Sequence, residues 1–268
     1  MTLPAPNPDP LRALPDLSAA YTDGIQTVSD EALAGLSATI QEYLEAIYSM
    51  QDEGKQVIGA RLAERMRRAP ATVTVTLRGM VGAGLIVLTA QKEVRFTAYG
   101  LGIASAVIRR HRLTERFLTD ILGLAWHEAH EEALRFEHAL SPRTEARIIG
   151  LLHNPTRCPH GNPIPGLAPH PPRNRMVLAG AAPGARLLLE RISEEAEIDP
   201  QLLAFLQHNH LIPDALLTVL EVLAFNHTYT VQVAGQPAPV VVGDDVARLI
   251  WVIPEDELDD EERRLVGL

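Results

Sequence analysis

The chain has 268 residues, 46% of them hydrophobic, which is enough for two or three domains with buried cores. Its apolar runs are shorter than the ~18–20 residues of a membrane-spanning helix, and its first residues lack the basic and apolar regions of a secretory signal. The single cysteine, Cys158, excludes an internal disulfide framework and fits a reducing cytosol. We therefore expect a cytoplasmic protein without membrane partners.

Charge is distributed unevenly along the chain. The net charge of −10 by itself argues against a nucleic-acid partner. Between Lys55 and Arg112, however, there are eleven Lys and Arg residues and only two acidic residues, Glu64 and Glu93. This local excess of positive charge indicates one basic module within an acidic protein and favours nucleic-acid binding by that module.

The basic module has the pattern of a winged helix-turn-helix domain, predicted over residues 37–99 after a flexible, Pro-rich extension at residues 1–36. Thr39 followed by Glu42 is typical of a capping box that opens the first helix. Short helices joined to a hairpin also occur in enzymes and protein-binding modules, but the basic clustering favours DNA. The predicted elements are helices at 39–54, 57–66 and 71–83 and strands at 85–89 and 94–97.

The helix at residues 71–83 is predicted to enter the major groove of DNA. Its exposed polar residues would contact phosphates or base edges, and Val75 a thymine methyl group. Cations before the helix and on the wing would mostly neutralise backbone charge. The residues predicted to contact DNA are Arg67, Arg68, Thr72, Thr74, Val75, Arg78, Lys92 and Arg95.

The fold class expected for the whole chain is mainly α with small β parts. Three helices at residues 100–124, about 127–140 and 141–152 suggest a helical dimerisation domain at 100–152. A Pro-rich linker (153–176), an SH3-like β-barrel (177–254) and a solvated acidic tail (255–268) complete the chain. The predicted elements of the barrel are strands at 185–192, 215–223, 229–233 and 240–242 and a helix at 200–208.

Residues 127–138 hold three histidines and four glutamates without a helix breaker. His111 and Glu115, four residues apart, lie on one face of the preceding helix, and His130 on the next helix can complete a divalent-metal site. An exposed pair of helix side chains is the simpler alternative for His111 and Glu115. Cys158-Pro159-His160 can ligate a metal or merely shape a Pro-rich turn.

Catalysis has weak support. His127 and His130 are three residues apart, whereas the two histidines of a zinc-protease helix are separated by four. The chain also lacks a nucleophile elbow, a phosphate-binding Gly loop and a Cys-x-x-Cys pair. A metallo-hydrolase is therefore a remote alternative to a DNA-binding regulator, and a metal-independent regulator that senses a small ligand is a nearer one.

Several segments, in the same order, resemble the diphtheria-toxin-repressor family of iron- and manganese-dependent transcriptional regulators. The likeness extends over about residues 37–252. It is carried by residues 42–48, 60–65, 110–118, 130–133, 137–141 and 161–166. The resemblance implies a homodimer with a winged helix, a helical metal-binding and dimerisation domain and an SH3-like domain, which binds a palindromic DNA operator of metal-uptake or homeostasis genes.

The resemblance also implies which residues bind metal. His111, Glu115 and His130 correspond to one site, to which Gln201 would add a ligand, since Glu197 is one residue out of register. Leu134 stands at the position of a ligand of the second site, so that site has lost a ligand or uses Glu131 or a water instead. The second site would comprise Glu42, Glu45, Glu137 and His138. Its carboxylates favour Mn²⁺, with Fe²⁺ as the alternative.

Overall fold

The computed structural model describes residues 32–33, 35–169 and 176–268, except for the side chains of His138 and Glu261. The predicted extension at residues 1–36 lies almost entirely outside this part of the chain. The chain divides into two compact units, and the boundary falls between Arg109 and Arg110 within one long helix. The expected fold class, mainly α with small β parts, is confirmed.

The first unit has three helices, a two-stranded hairpin and the start of a fourth helix. Ser37, rather than Thr39, caps the first helix, because its Oγ accepts a hydrogen bond from the amide of Ile40 at 3.3 Å. The predicted capping box is therefore wrong by two residues. The elements are α1 (Ala38–Asp52), α2 (Gly59–Arg65), α3 (Pro70–Gly82), β1 (Ile86–Leu88), β2 (Val94–Phe96) and α4 (Ala98–Asp120).

The hairpin of the first unit is held against the helices by backbone contacts. The amide of Val94 donates to the carbonyl of Val57 at 2.8 Å, and β1 pairs antiparallel with β2. Gly100 lies so close to β1 that an added Cβ would be 1.7 Å from the carbonyl oxygen of Leu85. Only glycine fits there, and this close approach fixes the hairpin beside the start of α4.

In the second unit, the rest of α4 is followed by α5 (Trp126–Phe136) and α6 (Pro142–Leu151). The His-rich helix was expected to continue to about Leu140, but it ends at Phe136. A 3₁₀ turn at Glu137–Ala139 follows, with the amide of Leu140 bonded to the carbonyl of Glu137. Ser141 then caps α6, accepting from the amide of Thr144 at 3.2 Å.

Six antiparallel strands form the sheet of the second unit, in the order β3-β8-β4-β5-β6-β7. The sequence did not predict β3 and β8, although β8 lies between β3 and β4. The helix predicted at residues 200–208 is confirmed. The elements are β3 (Met176–Val177), β4 (Arg186–Ile192), α7 (Glu194–Glu197), α8 (Pro200–His208), β5 (Leu216–Leu223), β6 (Thr228–Val233), β7 (Val240–Gly243), α9 (Asp244–Ala247), β8 (Ile250–Pro254) and α10 (Asp260–Leu265).

The tail that was expected to be solvated and the segment that was expected to be a linker both contain packed residues. Leu258, in the acidic tail, is buried against Leu188 and Ile253. In the Pro-rich segment, residues 160–165 are buried, although the described residues from 153 to 169 form neither helix nor strand, as the prolines predicted. Among the described residues, no helix is both long and apolar enough to cross a membrane.

Candidate metal centre

Two of the predicted ligands lie one turn apart on α4, and a third approaches from α5. His111 Nε2 is 3.1 Å from both Glu115 Oε1 and His130 Nδ1, and His130 Nδ1 is 3.3 Å from Glu115 Oε1. His111 and Glu115 are buried, while the side chain of His130 is 19% exposed. The structure therefore brings together the three residues that the helical spacing predicted.

A fourth group comes from the sheet-containing part of the second unit. Glu197 Oε2, at the end of α7, is 3.1 Å from His130 Nδ1. Gln201 was expected to supply this ligand, but its side chain is exposed on the first turn of α8, which Asp199 caps. Glu197, which was one residue out of register, belongs to the separate short helix α7, whose first turn Ser193 caps.

The Pro-rich segment adds Cys158 and His160, which the sequence left undecided between metal binding and shaping the turn. The amide of Gly161 donates to the carbonyl of Cys158, and the amide of Ile192 on β4 donates to the carbonyl of His160 at 2.8 Å. Gly161 has a φ of 88°, and an added Cβ would be 2.4 Å from the carbonyl oxygen of Glu190. The glycine thus lets the segment lie directly against β4.

His160 is fully buried and its ring is oriented by the backbone. Its Nε2 is 3.1 Å from the carbonyl oxygen of Trp126, which can only accept, so Nε2 carries the hydrogen. Its Nδ1 is directed to Glu197 Oε1 at 3.2 Å and to Glu115 Oε1 at 3.6 Å. A metal-binding histidine typically donates its second ring nitrogen to a carbonyl or carboxylate, so His160 has the orientation of a ligand.

His111 has the same feature. Its Nδ1 is 2.6 Å from Glu137 Oε2, and this carboxylate fixes the ring so that Nε2 points towards Glu115 and His130. Glu137, which the resemblance assigned to a second metal site, is therefore in contact with a ligand of the first.

The metal-free cluster compensates buried carboxylates with protonated imidazoles. Burial lowers the pKa of His130, but hydrogen bonds to Glu115 and Glu197 outweigh it and raise the value to about 9. Burial also opposes charge on His111 and His160, but neighbouring carboxylates hold both pKa values well above the usual range.

The pKa of Glu115 is shifted in the opposite direction to those of the histidines, whereas that of Cys158 is raised. Burial raises the pKa of Glu115, but the charges of His111 and His160 outweigh it and hold the pKa well below its usual value. Burial and the nearby Glu115 raise the pKa of the Cys158 thiol, so this side chain is a neutral thiol in the metal-free protein.

The cluster fits a divalent ion. Donor atoms bonded at about 2.1 Å to one ion, at right angles to each other, are about 3.0 Å apart. The distances of 3.1–3.3 Å among His111, Glu115, His130 and Glu197 are close to this value. Oε2 of Glu115 is buried without a hydrogen-bond partner, and a cation would satisfy it.

The remaining proposed ligands were assigned to the second metal site or as a substitute at the position of Leu134. Glu42, in the first unit, pairs with Arg68 at 2.9 Å. Glu131, the suggested substitute at the position of Leu134, is exposed and pairs with Arg135. The side chain of His138 lies outside the described part of the structure, so the second metal site stays a prediction.

The predicted DNA-contacting surface lies on α3, the preceding turn and the hairpin. Val73 and Leu77 of α3 are buried, whereas Val75 is 67% exposed. Arg68 pairs with Glu42, and Arg95 pairs with Glu93 at 3.0 Å. All eight of the predicted residues are exposed: Arg67, Arg68, Thr72, Thr74, Val75, Arg78, Lys92 and Arg95.

Two family models match the chain. The N-terminal DNA-binding domain of iron-dependent repressors matches residues 35–94, and their metal-binding and dimerisation domain matches residues 97–166. These matches define the class of the protein, a DNA-binding regulator with a metal-binding domain. The iron-dependent repressor IdeR of Mycobacterium tuberculosis is 36% identical over 191 residues, which is 68% of this chain and 83% of that protein. The chain belongs to the iron-dependent repressor family.

Other proteins similar to this chain include regulators named for manganese. The diphtheria toxin repressor of Corynebacterium diphtheriae is 43% identical over 129 residues, or 48% of this chain and 57% of that protein. A solved manganese-dependent transcriptional repressor in complex with manganese is 35% identical, has a TM-score of 0.70, and is matched over 80% of this chain and 99% of its own. The manganese regulator SloR is 30% identical with a TM-score of 0.66, over 80% and 98% of the two chains.

Proposed function

We propose that this protein is a cytoplasmic transcriptional repressor that binds a palindromic DNA operator as a homodimer when a divalent ion occupies the cluster. The observation that carries the proposal is the convergence of His111, Glu115, His130 and Glu197 in a chain whose predicted DNA-contacting residues are all exposed. Its target genes would serve metal uptake and homeostasis, as the resemblance implies. We propose a regulator and not a catalyst.

We propose Mn²⁺ as the physiological ion, with Fe²⁺ as the alternative. Imidazole and carboxylate donors suit both ions, and relatives named for each metal match this chain at similar identity. The bound ion would neutralise the buried carboxylates in place of the protons on the three imidazoles.

The ligands connect elements that are distant in sequence. Glu115 lies on α4, His130 on α5 and Glu197 on α7, so simultaneous ligation ties these helices together. Arg112 reinforces the connection, since its Nε donates to Glu194 Oε1 at 2.8 Å and another of its nitrogens donates to the carbonyl of Pro163. Ion binding would thereby favour the arrangement of the dimer that binds DNA. If the ion binds that arrangement 100-fold more tightly than the other, the equilibrium shifts by about 2.7 kcal/mol.

The test compares DNA binding with and without metal. A palindromic sequence is first selected from a random DNA pool with Mn²⁺-loaded protein. Fluorescence anisotropy then measures affinity for that DNA in excess Mn²⁺, in Fe²⁺ under anaerobic conditions and in chelator. We expect tight, metal-dependent binding by the wild type, loss of it in His111→Ala, and no change in the partly exposed control Glu132→Gln.

Two results would overturn the proposal. Equal affinity in chelator and in metal would favour the metal-independent, small-ligand regulator. Metal-dependent hydrolysis of esters, peptides or phosphodiesters without DNA binding would favour the metallo-hydrolase.

A further inference from the structure

Arg191, on β4, is a charged side chain inside the second unit. It is only 1% exposed, although a guanidinium group stays charged in a protein and is costly to bury unless it finds partners. We propose that Arg191 is a positioning residue of the metal centre, which acts through Asn162 to turn Glu197 towards the ion. This inference rests on the metal centre of the proposed function and deepens it.

A β-bulge gives Arg191 its direction. Side chains of a regular strand alternate between the two faces of the sheet, so residue 191 would face the core together with Leu187 and Leu189. The register between β4 and β8 shifts between Leu189 and Arg191, and Ile192 joins the core cluster in its place. The extra residue thus turns Arg191 away from this core, as bulges beside functional sites often do.

The guanidinium of Arg191 contacts two side chains from other elements. Its Cζ is 4.9 Å from the centre of the Trp251 ring, and Trp251 is its partner in the pairing of β4 with β8. Its Nη1 donates to Oδ1 of Asn162, in the Pro-rich segment, at 2.9 Å. The ring supports the cation from the sheet, and the hydrogen bond passes its orientation on to Asn162.

The amide of Asn162 is buried and has one possible orientation. Arg191 can only donate, so Oδ1 faces Arg191 and Nδ2 faces the other way. Nδ2 donates to the carbonyl of Ile192 at 2.9 Å and to Glu197 Oε1 at 3.2 Å. A flipped amide would set donor against donor at Arg191 and acceptor against acceptor at Glu197.

The oriented amide fixes one oxygen of Glu197 and leaves the other for the ion. Oε1 of the carboxylate accepts from Asn162, while Oε2 is 3.1 Å from His130 Nδ1. Carboxylates that bind a metal are typically held by such hydrogen bonds from residues that do not bind the ion themselves. Two hydrogen bonds therefore connect Arg191, on the sheet, with a ligand on α7.

The experiment is a double-mutant cycle on the full-length protein. Isothermal titration measures the affinity for Mn²⁺ of the wild type, Arg191→Met, Asn162→Ala and the double variant. Methionine keeps an unbranched apolar side chain and removes the donors and the charge. Arg186→Met is the matched control, because Arg186 lies on the same strand with a side chain that is 62% exposed.

We expect Arg191→Met to lower the affinity for Mn²⁺ by about 10-fold, and Asn162→Ala by about 10- to 100-fold. The double variant should bind no more weakly than Asn162→Ala, since Arg191 has nothing to orient once the amide is gone. Arg186→Met should bind as the wild type does.

The melting temperature of each metal-free variant separates positioning from stability. A residue that only stabilises the fold lowers the melting temperature but leaves the Mn²⁺ affinity of the folded protein unchanged. Trp251→Leu is a second variant, which keeps the donor of Arg191 and removes the ring that supports it. It should lose less affinity than Arg191→Met, and it makes the same comparison with Asn162→Ala if Arg191→Met does not fold.

The positioning role is refuted if the folded Arg191→Met and Trp251→Leu proteins bind Mn²⁺ as Arg186→Met does, or if the losses add in the double variant. Operator binding, measured separately on the same proteins, tests the proposed function. Metal-independent DNA binding with a non-additive cycle would overturn that function alone. Metal-dependent DNA binding with additive losses would overturn the role of Arg191 alone.

Discussion

On α3, every side chain predicted to contact DNA is exposed, whereas the potential ligands around Glu115 are buried or nearly so. The predicted DNA-contacting residues lie on α3, the turn before it and the hairpin, all within residues 67–95 of the first unit. The metal centre draws on α4, α5, the Pro-rich segment and α7, and each of its groups depends on several others. A change on α3 should therefore act locally, whereas a change in the centre should propagate to all of its ligands.

The largest effect is expected for Glu115→Ala, since Glu115 contacts three imidazoles. Substitution of a residue that only supports a ligand typically lowers metal affinity by at most roughly 100-fold. The loss of metal affinity in Glu115→Ala should be larger than that. Isothermal titration with Mn²⁺ measures this loss. Glu132→Gln, at a partly exposed position of α5, is the matched control. Retained affinity in Glu115→Ala would show that Glu115 is not a ligand.

A smaller effect is expected for Asn162→Ala, because Asn162 does not bind metal in the proposed arrangement but orients Glu197. Metal affinity should fall by about 10- to 100-fold. The melting temperature of the metal-free variant separates this effect from general destabilisation, since Arg191 also loses a contact to Asn162. Asn226→Ala, on an exposed turn, is the control. A loss no greater than that of the control would mean that Glu197 is positioned without Asn162.

On the DNA side, Lys92→Ala removes one exposed charge from the turn between β1 and β2. It should weaken binding to all sequences alike and reduce the slope of log affinity against log salt by about 1. Metal affinity should be unchanged, which would sharpen the contrast between the two regions. Arg248→Ala, in the second unit, is the charge-matched control; an identical salt dependence in wild type and Lys92→Ala would exclude a phosphate contact.

The smallest effect concerns pH. Because the pKa of His130 is raised from 6.5 to about 9, its ion pairs stabilise the metal-free protein fully below pH 6.5 and are lost as the pH rises through about 9. The melting temperature of the metal-free protein should therefore fall over this interval. Metal-loaded protein should lack the fall, since its imidazoles are neutral. A flat profile for both forms would contradict the cause given for the raised pKa.

The same contrast explains what the sequence could predict. The pattern of α3 and the spacing of His111 and Glu115 are local, so both were predicted correctly. β8 was missed because Ile250–Pro254 is a short apolar run without alternation, which does not distinguish a central strand from other buried segments. The position of Glu197 depends on α7 and α8 being two separately capped helices. No spacing rule in the sequence relates Glu197 to the ligands on α4.

Cys158 and His160 show a different limit of prediction from sequence. Two metal-binding residue types two positions apart were a visible signal, but prolines on both sides favoured a simple turn. Their proximity to Glu115 depends on how the segment packs on β4, a long-range contact that a linear pattern does not contain.

The packing of the Pro-rich segment on β4 is sensitive to substitution at Gly161. The residue contributes no ligand and no charge, yet any heavier amino acid would collide with Glu190 and Arg191 and lift the segment from the sheet. The imidazole next to it would move away from the carboxylates at the same time. Metal binding at the proposed centre would thus depend on a residue that has no side chain.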